Sequence, residues 1–175
     1  KTVSIGHTSG TTGTPTKNYS DAETSAYSVA LWERFHKMIG INRSDKHITF
    51  SYNCIVPQNN IKKPFWVYNC SSNQLLMSVF HLKDEFLIDY VEKINKFKPK
   101  YIDGSPSAIA IIAKYINNNK IKLDLTPKLI CTTAETLFDD QRMEIQKAFN
   151  CKVYNQYASS EGSPFITECK FGNMH

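Results

Sequence analysis

Glycine and proline are scarce, with seven of each in 175 residues. So few cannot build a collagen-like repeat or a flexible low-complexity tract. The cysteines are few and poorly placed for cross-linking: Cys54, Cys70, Cys131, Cys151 and Cys169 are odd in number and contain no Cys-x-x-Cys pair. A disulfide framework is excluded as the basis of the fold, and a reducing, cytoplasmic setting is expected. No uninterrupted apolar stretch approaches the roughly 20 residues that a bilayer-spanning helix needs, so membrane insertion is not expected. Basic residues outnumber acidic ones, 21 to 16, yet Lys62-Lys63 is their only adjacent pair. A nucleic-acid reader would carry a basic stripe interleaved with aromatics; here the excess reads as a solvated lysine surface, and no nucleic-acid partner is expected.

What the chain does have is a globular composition, 41% apolar and 12% aromatic. At this length a folded chain buries about two-thirds of the surface its unfolded form exposes. The first apolar run, Thr2 to Gly6, enters a loop of turn formers that ends at Lys17. Ser20-Asp21-Ala22-Glu23 then reads as a capping box, with Ser20 at the cap, before a helix carrying Leu31, Phe35, Met38 and Ile39 and stopping at Gly40. Strands are predicted at 46–52, 65–70 and 75–82, and an amphipathic helix at 83–97, closed by Pro99.

From residue 101 the chain becomes a repeating unit. Tyr101-Ile102-Asp103 is a short strand, Ser105-Pro106 a helix entry, 108–116 an apolar helix, 128–133 a buried strand, 137–149 a helix and 152–157 a strand. Alternation with short loops implies right-handed crossovers and a mostly parallel sheet with flanking helices, an α/β fold. In such sheets ligands sit at the carboxyl ends of the strands. The informative loops are therefore 8–17, 103–107, 133–137 and 157–162.

The first of these, Thr8-Ser9-Gly10-Thr11-Thr12-Gly13-Thr14-Pro15-Thr16-Lys17, combines two glycines that can turn backbone N–H groups inward, six hydroxyls and a terminal cation. All three suit a polyphosphate. The spacing is not that of a Walker A loop, which needs Gly-x-x-x-x-Gly-Lys-Ser/Thr. The order Thr-Ser-Gly-Thr-Thr-Gly-x-Pro-x-Lys resembles the phosphate-binding signature of the adenylate-forming superfamily: acyl-CoA synthetases, nonribosomal-peptide adenylation domains and luciferases.

The same family leads one to expect a second motif about 150 residues on, Asn-x-Tyr-Gly-x-Thr/Ser-Glu. Asn155-Gln156-Tyr157-Ala158-Ser159-Ser160-Glu161 matches it at Asn155, Tyr157, Ser160 and Glu161, with Ala158 where Gly is usual. The resemblance implies that Tyr157 lies against adenine, that the Ser160 hydroxyl approaches a phosphate and that Glu161 holds Mg²⁺. Thr133-Ala134-Glu135 is similar to a segment that lines the adenine pocket through its backbone; read locally, Thr133 is equally a helix cap. Gly104-Ser105-Pro106-Ser107, Thr-Ala-Glu and Ser-Glu-Gly together resemble the branch containing phenylacetate–CoA ligases and capsule-polysaccharide-biosynthesis relatives. Tyr52, Phe65, Trp66 and Tyr101 are aromatic candidates for an acid pocket.

Near the end of the sequence, Cys169 and His175 pair two soft ligands across a glycine-containing turn, half of a zinc set. His7 stands just before the 8–17 loop, either in reach of it or a plain core or loop histidine, and His36, His47 and His81 are assigned no role.

The resemblance implies part of the large N-terminal domain of an AMP-forming acid–thiol ligase. Thr8, Ser9, Gly10, Thr11, Thr12, Gly13 and Lys17 would meet the phosphates of ATP, and coenzyme A would be the second substrate beside a small carboxylic acid. The chain opens at Lys1 without a Met, and residues 1–175 are expected to form a single ATP-binding core segment whose C-terminal, catalytic-lysine domain lies outside it. Turnover by these residues alone is not expected. The other function class is a nucleotide-binding or interaction module without catalysis.

Overall fold

A computed structural model describes residues 3–7, 17–159 and 165–175. In chain order the elements are β1 (Val3–His7), β2 (Lys17–Asp21), α1 (Ala22–Ile39), β3 (His47–Ser51), β4 (Trp66–Asn69), β5 (Gln74–Ser78), α2 (Leu87–Phe97), β6 (Tyr101–Gly104), α3 (Pro106–Asn118), β7 (Leu129–Thr132), α4 (Asp139–Phe149), β8 (Lys152–Ala158) and β9 (Phe165–Thr167). They fall into two compact units, Lys1–Arg43 with Gln156–His175, and Ser44–Asn155.

In the larger unit β3 pairs in parallel with β5 and β6, β6 with β7, and β7 with β8, while β4 runs antiparallel along β5. The order along hydrogen bonds is β4-β5-β3-β6-β7-β8-β9, the predicted mostly parallel α/β sheet. Strand β8 leaves this unit after Asn155, and its last residues pair antiparallel with β9 in the smaller unit.

Side-chain alternation sorts the larger unit's sheet into two faces. Ile48, Phe50, Leu75, Met77, Ile102, Ile130 and Val153 share one core cluster with Tyr90 and Ile94 of α2, Ile109 and Ile112 of α3, and Ile145 and Phe149 of α4. Helix α3 shows which force wins. Its isoleucines lose a few tenths of a kcal/mol each in helix propensity, but Ile109, Ile112 and Ile116 are at most 2% exposed. Burial contributes about 1.5–3 kcal/mol apiece, so packing overrides propensity.

The other face carries a polar strip. Gln74 Nε2 donates to Thr49 Oγ1 at 2.8 Å, and the Thr49 hydroxyl in turn donates to Asp103. His47 stacks on Tyr101 with ring centroids 4.6 Å apart. Withdrawal from water pushes the Asp103 carboxyl up to about 6, against the opposing pull of Thr49 and His47. Because the folded carboxyl holds its proton more tightly than the unfolded one, stability is full below about pH 3.8 and falls as pH rises through about 6. Asp103→Asn keeps an acceptor for Thr49 and removes the charge. It is expected to be more stable than the parent at pH 8 by on the order of 2 kcal/mol, with the gap closing by pH 4. Urea midpoints across that range would show it; a gap independent of pH would refute the burial argument.

The smaller unit holds the β1–β2 hairpin, in register from Val3 opposite Asp21 to His7 opposite Lys17. This hairpin corrects the local prediction. Ser20 is a strand residue whose hydroxyl meets that of Ser4 at 2.7 Å, and the cap of α1 is Asp21, which accepts from Thr24 N at 2.9 Å. The Thr24 bonds hold the Asp21 carboxyl below its ordinary range. Gly40 closes α1 at φ 78°, the left-handed conformation expected of a glycine stop. The segment joining β1 to β2 lies outside the described residues.

Candidate functional site at the carboxyl edge of the sheet

The parallel pairing of the larger unit's five strands ends along one edge, at Ser51, Ser78, Gly104, Thr132 and Asn155. This is the edge where open α/β sheets bind ligands. Gly104 is the tightest point: its φ is +144°, and a Cβ there would lie 2.7 Å from Phe50 Cβ. That close approach lets β6 turn directly into α3. Ser105 stands at the cap with no side-chain capping bond, and Pro106 follows in the first turn.

The capping acceptor comes instead from across the edge. Glu135 Oε2 accepts from the Ser107 backbone N–H at 3.2 Å, and Glu135 Oε1 accepts from the Tyr52 hydroxyl. One carboxylate thereby ties the first turn of α3 to the loops that follow β3 and β7. Negative charge at a helix N-terminus contributes about 0.3–1 kcal/mol. Beside it Ala134 adopts φ 72°, which disfavours an L-residue by roughly 1–2 kcal/mol. The bonds of Glu135 and that of Thr133 N to Gly104 O, 3.1 Å long, offset this strain. Helix α4 begins only at Asp139, so Thr133 is not its cap, and 133–138 is an independent loop.

Asn155 joins the same edge from β8: Thr132 Oγ1 donates to Asn155 Oδ1 at 3.1 Å. Ala134, Glu135 and Asn155, three of the residues singled out from sequence, are therefore gathered at one sheet edge. Lys17 and Tyr157 belong to the smaller unit and are exposed, Tyr157 by 54%. Thr8, Ser9, Gly10, Thr11, Thr12, Gly13, Ser160 and Glu161 lie outside the described residues.

Ser107 stood in the sequence only as the last residue of the Gly104-Ser105-Pro106-Ser107 motif, and Tyr52 as one of four unranked aromatics; their bonds to Glu135 were not foreseen. No local signal marks either, because their partner Glu135 is 28 and 83 residues away. Of the other aromatic candidates, Phe65 and Tyr101 are buried and Trp66 packs against the core, leaving Tyr52 as the one exposed at the edge.

All five cysteines are free. Burial pushes the Cys151 thiol up to about 12 and that of Cys131 higher than an ordinary thiol. Cys70, expected in a strand, opens a short exposed 3₁₀ turn. Cys169 differs: backbone N–H groups of Phe171 and Asn173, together with His175, pull its thiol down. Cys169 and His175 also line a cavity of about 510 Å³ in the smaller unit with Leu31, Arg34, Phe35 and Phe165. Among the described residues no group of three or more His, Cys, Asp or Glu is placed to hold a metal. No helix of the described residues is long and apolar enough to cross a membrane.

No family model matches the chain. It is 43% identical over 174 residues to protein CapK of Staphylococcus aureus, covering 99% of this chain and 38% of CapK. Among solved structures, 2-hydroxyisobutyryl-CoA ligase in complex with 2-HIB-AMP and CoA superposes with a TM-score of 0.61 at 18% identity, over 97% of this chain and 39% of the ligase. Anthranilate CoA ligase AuaEII in complex with anthranoyl-AMP gives a TM-score of 0.64 at 16% identity, over 97% of this chain and 31% of that one. A long-chain-fatty-acid-CoA ligase (FadD1) from Archaeoglobus fulgidus gives 0.63 at 16% identity, over 95% and 33%. The chain thus spans well under half the length of the proteins it resembles; it is similar in sequence to CapK and has the fold of the adenylate-forming CoA ligases.

Proposed function

We propose that this chain is the nucleotide-binding core of an AMP-forming ligase that activates a small carboxylic acid as its acyl-adenylate and passes the acyl group to coenzyme A. The observation that carries this reading is the gathering of Ala134, Glu135 and Asn155 at the carboxyl edge of the sheet, in a chain with the fold of ligases solved with acyl-AMP. The acid's carboxylate oxygen attacks the α-phosphorus of ATP, and pyrophosphate leaves. The thiol of coenzyme A then attacks the acyl carbon, giving a thioester and AMP.

Charge develops on phosphoryl oxygens during the first step, and fixed donors stabilise it best. Thr8, Ser9, Thr11 and Thr12 hydroxyls, the backbone at Gly10 and Gly13, and the Lys17 ammonium supply those donors. The resemblance assigns the 133–135 backbone to the adenine pocket, with Asn155 on the same sheet edge; it also assigns Tyr157 to adenine and the Ser160 hydroxyl to the phosphates. The hard oxygens of Glu161 suit Mg²⁺, which would neutralise phosphate charge there. Cys169 and His175 supply only half of a tetrahedral zinc set, and no step is derived through zinc. ATP and coenzyme A as substrates place the reaction in the cytoplasm. Because the chain spans 38% of CapK, turnover is assigned to the complete polypeptide.

Calorimetric titration of the complete polypeptide with ATP and Mg²⁺ tests the reading. Lys17→Ala removes a charge-assisted contact, and ATP affinity is expected to fall roughly 10- to 150-fold. A parent protein that binds no ATP would instead favour the non-catalytic interaction module.

A further inference from the structure

Tyr52 follows β3 directly and touches the segments that follow β5, β6 and β7 at the carboxyl edge. Its ring lies edge-to-face with Phe80, in the turn after β5, at 6.4 Å between centroids. Its hydroxyl donates to Glu135 after β7 and lies 3.5 Å from Ser107 Oγ after β6. Glu135 in turn accepts the Ser107 N–H, so both of its oxygens are engaged. The carboxylate is therefore committed to the protein, and what it can set is the backbone on either side of it, with Ala134 held in a left-handed conformation that alanine disfavours.

We propose that Tyr52 is a positioning residue: by holding Glu135 against the N-terminus of α3 it fixes the 133–135 backbone, and so sets nucleotide affinity without touching the reacting atoms. This rests on the nucleotide-binding reading above. A hydroxyl-to-carboxylate bond is among the stronger hydrogen bonds, and its loss releases the strained residue beside it. Tyr52 and Glu135 are both exposed, so removing the bond disturbs no packed core.

Tyr52→Phe keeps the ring on Phe80 and deletes only the hydroxyl. In the complete polypeptide, its dissociation constant for ATP and its KM for ATP are expected to rise about tenfold, with kcat within about twofold and the KM for the acid unchanged. In a Glu135→Ala background the same substitution is expected to have no further effect, because the two residues act as one unit. Amide hydrogen exchange at Ser107 and at 134–136 is expected to quicken about tenfold in Tyr52→Phe, while core amides of β6 and β7 keep their rates. ATP affinity unchanged by Tyr52→Phe in a parent that binds ATP would overturn the proposal and leave the ligase reading standing. A parent that binds no nucleotide would remove that reading and the nucleotide role of Tyr52 with it. Exchange rates unchanged by Tyr52→Phe would refute the clamp itself, whatever the nucleotide result.

Discussion

Gly104→Ala is expected to destabilise the protein by about 2–6 kcal/mol and to lower its urea midpoint sharply. Two independent terms add. The new Cβ would lie 2.7 Å from Phe50 Cβ and 2.9 Å from Phe50 O, on the neighbouring parallel strand. Relief demands a shift of β3 or β6 inside a close-packed sheet, and overpacking of this kind costs about 1–3 kcal/mol. The residue also sits at φ +144°, a region that L side chains rarely enter, for roughly another 1–3 kcal/mol. Against a typical domain stability of about 5–15 kcal/mol the sum is a large share. Gly6→Ala in β1 is the control, since a Cβ there meets nothing within 4 Å, and it is expected to change stability by no more than about 1 kcal/mol. Urea-unfolding midpoints of the two variants make the comparison; equal midpoints would show that the sheet gives way at Gly104 without penalty.

Phe65→Ala is the second large effect, expected at about 3–5 kcal/mol. Phe65 is fully buried and is the hub of an aromatic cluster: its ring stacks on His81 at 4.5 Å, meets Phe86 at 4.6 Å and lies 6.3 Å from Tyr90. Removing it leaves a void beside His81, whose Nδ1 is bonded to Ser78 Oγ at 2.8 Å and whose buried Nε2 has no partner among the described residues. Water entering that void can satisfy the nitrogen, which separates this site from a purely apolar one. Phe65→Leu, too small to stack but large enough to exclude water, is therefore expected to recover only part of the lost stability. Chemical denaturation of Phe65→Ala and Phe65→Leu resolves the order; an alanine variant as stable as the leucine one would mean that the cluster collapses onto the void.

The repeating half of the fold was legible because its signals are local and strong. Leu87, Tyr90, Val91 and Ile94 recur at helical spacing and are the residues that α2 buries. The runs around Ile102, Ile130 and Val153 read as strands, that around Ile130 as a buried one, and all three residues are fully buried. Pro106 opening α3 and Gly40 closing α1 were equally plain. Strand β2 was hidden because Lys17-Asn18-Tyr19-Ser20-Asp21 buries no apolar side, with Tyr19 66% exposed. Its partner β1 supplies the pairing, and with it the shift of the helix cap from Ser20 to Asp21. Strand β9 is only three residues long, although Phe-Ile-Thr has the composition of a strand.

The candidate site divides in the same way. The sequence by itself determined the residue types that suit a nucleotide, the alternation that makes the sheet parallel, and hence the strand ends where a ligand belongs. Those follow from hydroxyl, glycine and lysine chemistry within a few residues and from side-chain period. Only the tertiary structure decided that Glu135 caps α3 and is held by Tyr52, that Thr132 braces Asn155, and that Asp103 is raised by loss of water. Each of these joins residues 23 or more positions apart or depends on what surrounds a side chain. Hydrogen bonds and desolvation act through space over a few ångströms, and the order of residues along the chain does not carry that distance.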